Sequence, residues 1–137
     1  MKLDPSAFVA DPELIQALEK CSTVISCVDD RVLFAQGDTP QGLYILNQGE
    51  TTLTMTSPTG EELMSIQAQA GSLLGLPGLI GNEPYSLTAI ARTGARLSYI
   101  PREELTSLMR SVPSLALKML QVLAAEVRSA RGALANL

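Results

Sequence analysis

Few residues in this 137-residue chain are equipped for chemistry, and those few fall close together. The stretch Gly71-Ser72-Leu73-Leu74-Gly75-Leu76-Pro77-Gly78-Leu79-Ile80-Gly81-Asn82-Glu83-Pro84-Tyr85 sets four glycines and two prolines among apolar residues. A plain surface loop is more polar than this. Glycine permits positive φ and lets a ligand come close to the backbone. The segment therefore fits either a packed structural loop or a ligand cradle. Read as a cradle, its candidate pocket residues are Leu74, Gly75, Leu76, Tyr85, Ser86 and Leu87. Tyr85 and Ser86 supply hydroxyls, while Leu76 and Leu87 supply apolar walls. A short helix starting near Gly75 would add free N–H groups for an anion. That set suits a small, weakly charged or partly apolar ligand. The competing outcome is collapse, with Leu76 and Tyr85 filling the space themselves.

Catalysis has little to draw on. The chain has no His, hence no imidazole base and no Ser-His or Cys-His pair. Its two cysteines, Cys21 and Cys27, fall short of the three or four ligands of a zinc or iron–sulfur site. They fit two small, partly buried thiols in a reducing compartment, or a reversible disulfide. The acids Glu61-Glu62 and Glu103-Glu104 are sequence neighbours and fit solvated faces. The expectation is a protein that is not an enzyme and carries no metal or cofactor. Net charge is −4 and the cations are scattered, so this chain is not expected to touch nucleic acid directly. No apolar run approaches the roughly 20 residues of a membrane span. No apolar signal core follows Met1-Lys2-Leu3-Asp4-Pro5. A cytoplasmic protein with no membrane partner is expected.

These residues need a frame to hold them. With 46% apolar and 18% charged residues, positions 1–137 suit one globular sensor domain. Residues 11–22 read as a helix. Asp11 can cap it, Pro12 fits its first position, and Leu14, Leu18 and Cys21 recur at helical spacing. Residues 23–101 change to short strands with turn signals between them, which indicates a β-roll holding the cassette 71–87. Leu43-Tyr44-Ile45-Leu46 is an apolar strand closed by Gln48-Gly49, and Thr51, Leu53 and Met55 alternate with Thr52 and Thr54. Residues 102–137 are helical. Ala116, Leu120, Leu123, Val127, Ala130, Leu134 and Leu137 are spaced 4, 3, 4, 3, 4, 3, a heptad seam. Leu115, Met119 and Val122 form a second stripe. A helix with two apolar faces needs two partners. One face can cover the roll, and Leu120, Leu123, Val127, Ala130 and Leu134 can meet a second copy in a homodimer. The fold class is mainly β with flanking helices, a double-stranded β-helix of jelly-roll type ending in a dimer helix.

The order helix, short strands, glycine-rich cassette, two strands and long helix resembles the sensor half of the catabolite-activator/fumarate–nitrate regulator family. Leu33-Phe34-Ala35-Gln36-Gly37-Asp38, Leu43-Tyr44-Ile45-Leu46-Asn47-Gln48-Gly49 and Gly71-Ser72-Leu73-Leu74-Gly75-Leu76 carry the resemblance. It implies a cyclic-nucleotide-binding fold. In that family the cassette holds a Phe-Gly-Glu-like triplet and a later Arg, which take the ribose hydroxyl and the cyclic phosphate. Here the triplet matches Leu74-Gly75-Leu76, and the Arg position falls on Tyr85, followed by Ser86 and Leu87. Ala130 and Arg131 stand where the family's last helix reaches the base. A hydrogen bond to a charged group contributes roughly 1.5–3 kcal/mol. Losing both contacts weakens affinity by roughly two to four powers of ten. The resemblance thus implies a non-enzymatic regulatory module with a degenerate cassette, holding a small molecule other than cyclic AMP or none. The family continues into a helix-turn-helix that reads DNA. The alternative is therefore the ligand-sensing half of such a regulator, and a reading frame running on past Leu137 would decide for it.

Overall fold

The computed structural model describes residues 3–135. A 3-10 turn, Pro5–Phe8, leads into α1, Pro12–Glu19. The Asp11 carboxylate accepts from the Glu13 N–H at 2.8 Å, which caps α1 and holds Asp11 below the usual carboxylate range. The helix starts where the cap and Pro12 predict and ends at Glu19, short of Ser22.

Eight strands follow: β1 (Thr23–Ser26), β2 (Arg31–Phe34), β3 (Gly42–Gln48), β4 (Thr51–Thr56), β5 (Glu62–Ala68), β6 (Leu73–Leu74), β7 (Thr88–Ala91) and β8 (Arg96–Pro101). They form two four-stranded sheets, in the orders β1-β8-β3-β6 and β2-β7-β4-β5, with every pairing antiparallel. This is the β-roll that the strand spacing predicts. Between β6 and β7 lies a short helix, α2 (Leu76–Gly81), and after β8 come α3 (Arg102–Ser111) and α4 (Pro113–Ala135).

The two-residue period of a strand sends alternate side chains to opposite faces. On β3, Leu43 and Ile45 are wholly buried against the helices, with Leu14, Leu18, Leu105 and Met119. Leu46, from the other face, joins Leu53, Ala89 and Leu97 between the sheets. The first sheet therefore separates two apolar clusters. Cys21 packs against the helix-side cluster and donates to the Leu18 carbonyl at 3.3 Å, whereas Cys27 is buried between the sheets. Both thiols are free, so the disulfide reading is not what the fold adopts.

α4 uses its two faces differently. Leu115, Met119, Val122 and Ala133 are buried against the rest of the chain, and Ser129 accepts from the Asp4 N–H at 2.7 Å. On the other side, Leu120 is 58% exposed and Val127 48% exposed, Ala130 is also exposed, and Leu123 is half-buried. The side chain of Leu134 lies outside the described residues. Among the described residues no helix is long and apolar enough to cross a membrane.

Candidate functional site

The cassette is shaped by one backbone choice. Gly75 takes φ 91°, a left-handed conformation that turns the chain from β6 into α2. A Cβ at that position would lie 2.7 Å from the Tyr85 ring and 3.4 Å from Phe34. Gly75 thus lets two aromatic rings close over the backbone. α2 has no side-chain cap at its start and carries Pro77 in its first turn. At its far end the Arg102 guanidinium donates to the carbonyls of Leu79 at 3.3 Å and Pro40 at 2.9 Å. A cation suits the carbonyl end of a helix, so Arg102 fastens α2 to the start of α3.

Tyr85 is fixed from three directions. Its N–H donates to the Asp38 carbonyl at 3.0 Å and its own carbonyl accepts from the Gly37 N–H at 2.8 Å. Its hydroxyl donates to the Gly42 carbonyl at 2.9 Å. The ring stacks on Phe34 with centroids 3.9 Å apart and planes inclined at 19°. Burial pushes the phenol above its ordinary pKa.

Of the six residues proposed from sequence, Leu74, Gly75, Tyr85, Ser86 and Leu87 line one cavity of about 40 Å³. Leu76 does not line it. Its side chain is wholly buried in the helix-side cluster with Leu43, Leu73 and Leu79, because it opens α2 on the face turned toward that core. A site that encloses a drug-sized ligand is typically about 300–1,000 Å³. This cavity is far smaller, and a water needs at least about 10–15 Å³. It has room for a few waters or a small polar head group, but not for a nucleotide.

The residue that sequence reading missed is Glu126. It lines the cavity from α4, together with Phe34 and Tyr85 from the roll. Both carboxyl oxygens are buried and neither has a hydrogen-bond partner. Burial pushes the carboxyl from 4.5 up to about 8. An unpaired acid in an apolar cavity costs free energy unless it keeps its proton or meets a donor. The sequence did carry a signal. Leu115, Met119, Val122, Glu126, Ser129 and Ala133 follow the buried stripe at spacing 4, 3, 4, 3, 4, and one of them is charged.

A larger depression of about 510 Å³ lies between α1 and α3, lined in part by Glu13, Lys20, Cys21 and Glu104. It is an open groove whose charged residues are all exposed, so it lacks the converging buried groups of the cassette cavity. Among the described residues no cluster of His, Cys, Asp and Glu could hold a metal ion.

Comparison with known proteins agrees with this architecture. The family model described as "Cyclic nucleotide-binding domain" matches residues 24–112. The Cyclic AMP receptor protein of Thermus thermophilus is 31% identical over 98 residues, covering 72% of this chain and 45% of that protein. The crystal structure of the Thermus thermophilus catabolite activator protein superimposes with a TM-score of 0.79 at 26% identity, covering 96% of this chain and 62% of that one. The N-terminal domain of a Streptomyces coelicolor transcriptional regulator gives a TM-score of 0.67 at 25% identity, covering 96% of this chain and 92% of that one. The chain spans about half the length of the curated relatives it matches.

Proposed function

Since this chain belongs to the cyclic nucleotide-binding domain family, we propose that it is the ligand-sensing half of a catabolite-activator/fumarate–nitrate-type transcription regulator. In this reading it pairs with a second copy along α4 and has given up cyclic nucleotides as its ligand. One observation carries the reading: α4 walls the cassette cavity with Glu126 on one side and presents exposed Leu120 and Val127 on the other. A single helix thereby joins a ligand cavity to an apolar surface that a second copy can cover. Exposed contiguous apolar surface of this kind marks interaction sites. The similarity to a solved N-terminal regulator domain along nearly its whole length supports the same reading.

Light scattering tests it directly. At micromolar concentration the wild type is expected to be a dimer and Leu123→Lys a monomer, because a lysine in the seam cannot be desolvated without a partner charge. A monomeric wild type would end the proposal.

The loss of nucleotide binding has its own test. Tyr85 stands where the family's cation would neutralise the cyclic phosphate, and among the described residues no Lys or Arg lines the cavity. Calorimetry is expected to show no sub-micromolar affinity for cyclic AMP or cyclic GMP. Binding that tight would mean that Tyr85 leaves its place and that backbone groups alone hold the phosphate.

A further inference from the structure

The Tyr85 ring is a partition. On one side lies the Glu126 cavity, and on the other an open depression of about 170 Å³ that also reaches Tyr44, Tyr99 and Asp38. The chain has two phenylalanines, three tyrosines and no tryptophan. All five rings line one or other of these spaces: Phe8, Phe34 and Tyr85 the first, and Phe34, Tyr44, Tyr85 and Tyr99 the second. The rings touch in sequence, with Tyr99 to Tyr44 at 4.9 Å, Tyr44 to Phe34 at 6.0 Å and Phe34 to Tyr85 at 3.9 Å. Glu126 stands in the first space and Asp38 borders the second, with its carboxylate accepting from the Ala35 N–H at 3.1 Å; among the described residues no Lys or Arg lines either, though the Arg31 charge reaches Tyr44.

Aromatic faces and carboxylates without cations repel anions and attract cations. A ring face holds an ammonium group through its quadrupole, and a buried carboxylate strengthens a charge-assisted hydrogen bond to it. Glu126 is also the group in the cavity that lacks a partner. We propose that this site binds an organic amine, its ammonium head against Glu126 and its apolar body on the faces of Phe34 and Tyr85. The inference rests on the reading above that the cassette no longer serves a cyclic phosphate. It inverts the charge of the ligand within the same fold. The 40 Å³ cavity takes the head group as it stands. Room for the body requires the Tyr85 hydroxyl to leave the Gly42 carbonyl and its ring to leave the stack on Phe34, which would join the two spaces.

Ionisation of Glu126 belongs to binding, because only the carboxylate pairs with an ammonium ion. The 3-10 turn, β2, β4 and the cassette face Glu126 with uncharged side chains, and the segment after α2 adds only the Tyr85 phenol. With the carboxyl held up to about 8, amine affinity is expected to rise about 50-fold from about pH 6 to about pH 8.

Calorimetry on the full chain tests the proposal with benzylamine, neutral benzyl alcohol, benzoate and cyclic AMP. Benzylamine should bind wild type at least about tenfold more tightly than benzyl alcohol, and benzoate not at all. Glu126→Gln should lose that tenfold preference while keeping benzyl alcohol affinity, and Glu126→Asp should keep part of it. Circular dichroism confirms that each variant is folded. Equal affinity for the amine and the alcohol, no benzylamine binding at millimolar concentration, an unchanged preference in Glu126→Gln, or a flat pH profile would each overturn the inference. If cyclic AMP is also not bound, the parent reading stands and only the amine fails. Sub-micromolar binding of cyclic AMP removes the parent reading and the amine site with it.

Discussion

Leu76→Glu is expected to unfold the protein or to lower its stability by at least about 5 kcal/mol. On the resemblance read from the sequence, Leu76 takes the position of the family's acid, so the swap would be expected to restore a contact. The structure gives it the opposite sign. The Leu76 side chain is wholly buried among Leu43, Leu73 and Leu79, away from the cavity. Removing a buried leucine side chain costs about 2–5 kcal/mol. Placing an unpaired carboxylate there adds a desolvation penalty of several kcal/mol. Native domains are stable by only about 5–15 kcal/mol in total. Urea titration followed by circular dichroism reads the effect. A cooperative transition within about 1 kcal/mol of wild type would mean that the side chain reaches solvent or the cavity after all.

Replacing Glu126 by leucine is expected to stabilise the protein, and increasingly so toward alkaline pH. The carboxyl has an ordinary value of 4.5 and is held up to about 8 in the fold. Between those values the native state keeps a proton that the unfolded chain has lost. Stability therefore falls as pH rises through this window, and the full loss is in place above about 8. The gap corresponds to at most about 5 kcal/mol. Glu126→Leu removes the titration and puts apolar atoms into an apolar cavity. The expected gain is about 2–4 kcal/mol at about pH 8.5 and little at about pH 5. Chemical denaturation at the two pH values checks it. Parallel curves for wild type and variant would show that water or another group already satisfies the carboxyl.

Much of the frame was legible because periodicity is a property of the sequence itself. The apolar run Leu43-Tyr44-Ile45-Leu46 is a strand within β3, and the two-residue period of a strand sends Leu43 and Ile45 toward the helices and Leu46 between the sheets. The stripe Leu115, Met119 and Val122 marks the face of α4 that is buried. The cassette was harder to read. β6 has two residues and α2 six, too few for any period to register. The residues on either side of Gly75 part company, Leu74 toward the cavity and Leu76 toward the helices. That divergence follows from the positive φ of Gly75, a turn that glycine permits without specifying which way the flanking side chains go. Tyr85 looked like either a ligand hydroxyl or a plug, and its hydroxyl is bound to Gly42. Glu126 continues the inward stripe one step beyond Val122, where an apolar pattern stops marking it, and it is the one charge on that stripe.

The contacts of Arg102 have a mechanical consequence. Its guanidinium ties the end of α2 to the Pro40 carbonyl, and its own N–H donates to the Gln41 carbonyl at 3.0 Å. The end of the cassette, the segment before β3 and the start of α3 therefore share one anchor point. From there the chain runs through α3 into the 23 residues of α4. At about 1.5 Å per residue that helix is a rod about 34 Å long. A tilt of about 5° at its near end carries its far end about 3 Å. Any such tilt has to carry Glu126, Ser129 and Ala133 with it, the residues that hold the same helix against the cavity and the N-terminal 3-10 turn.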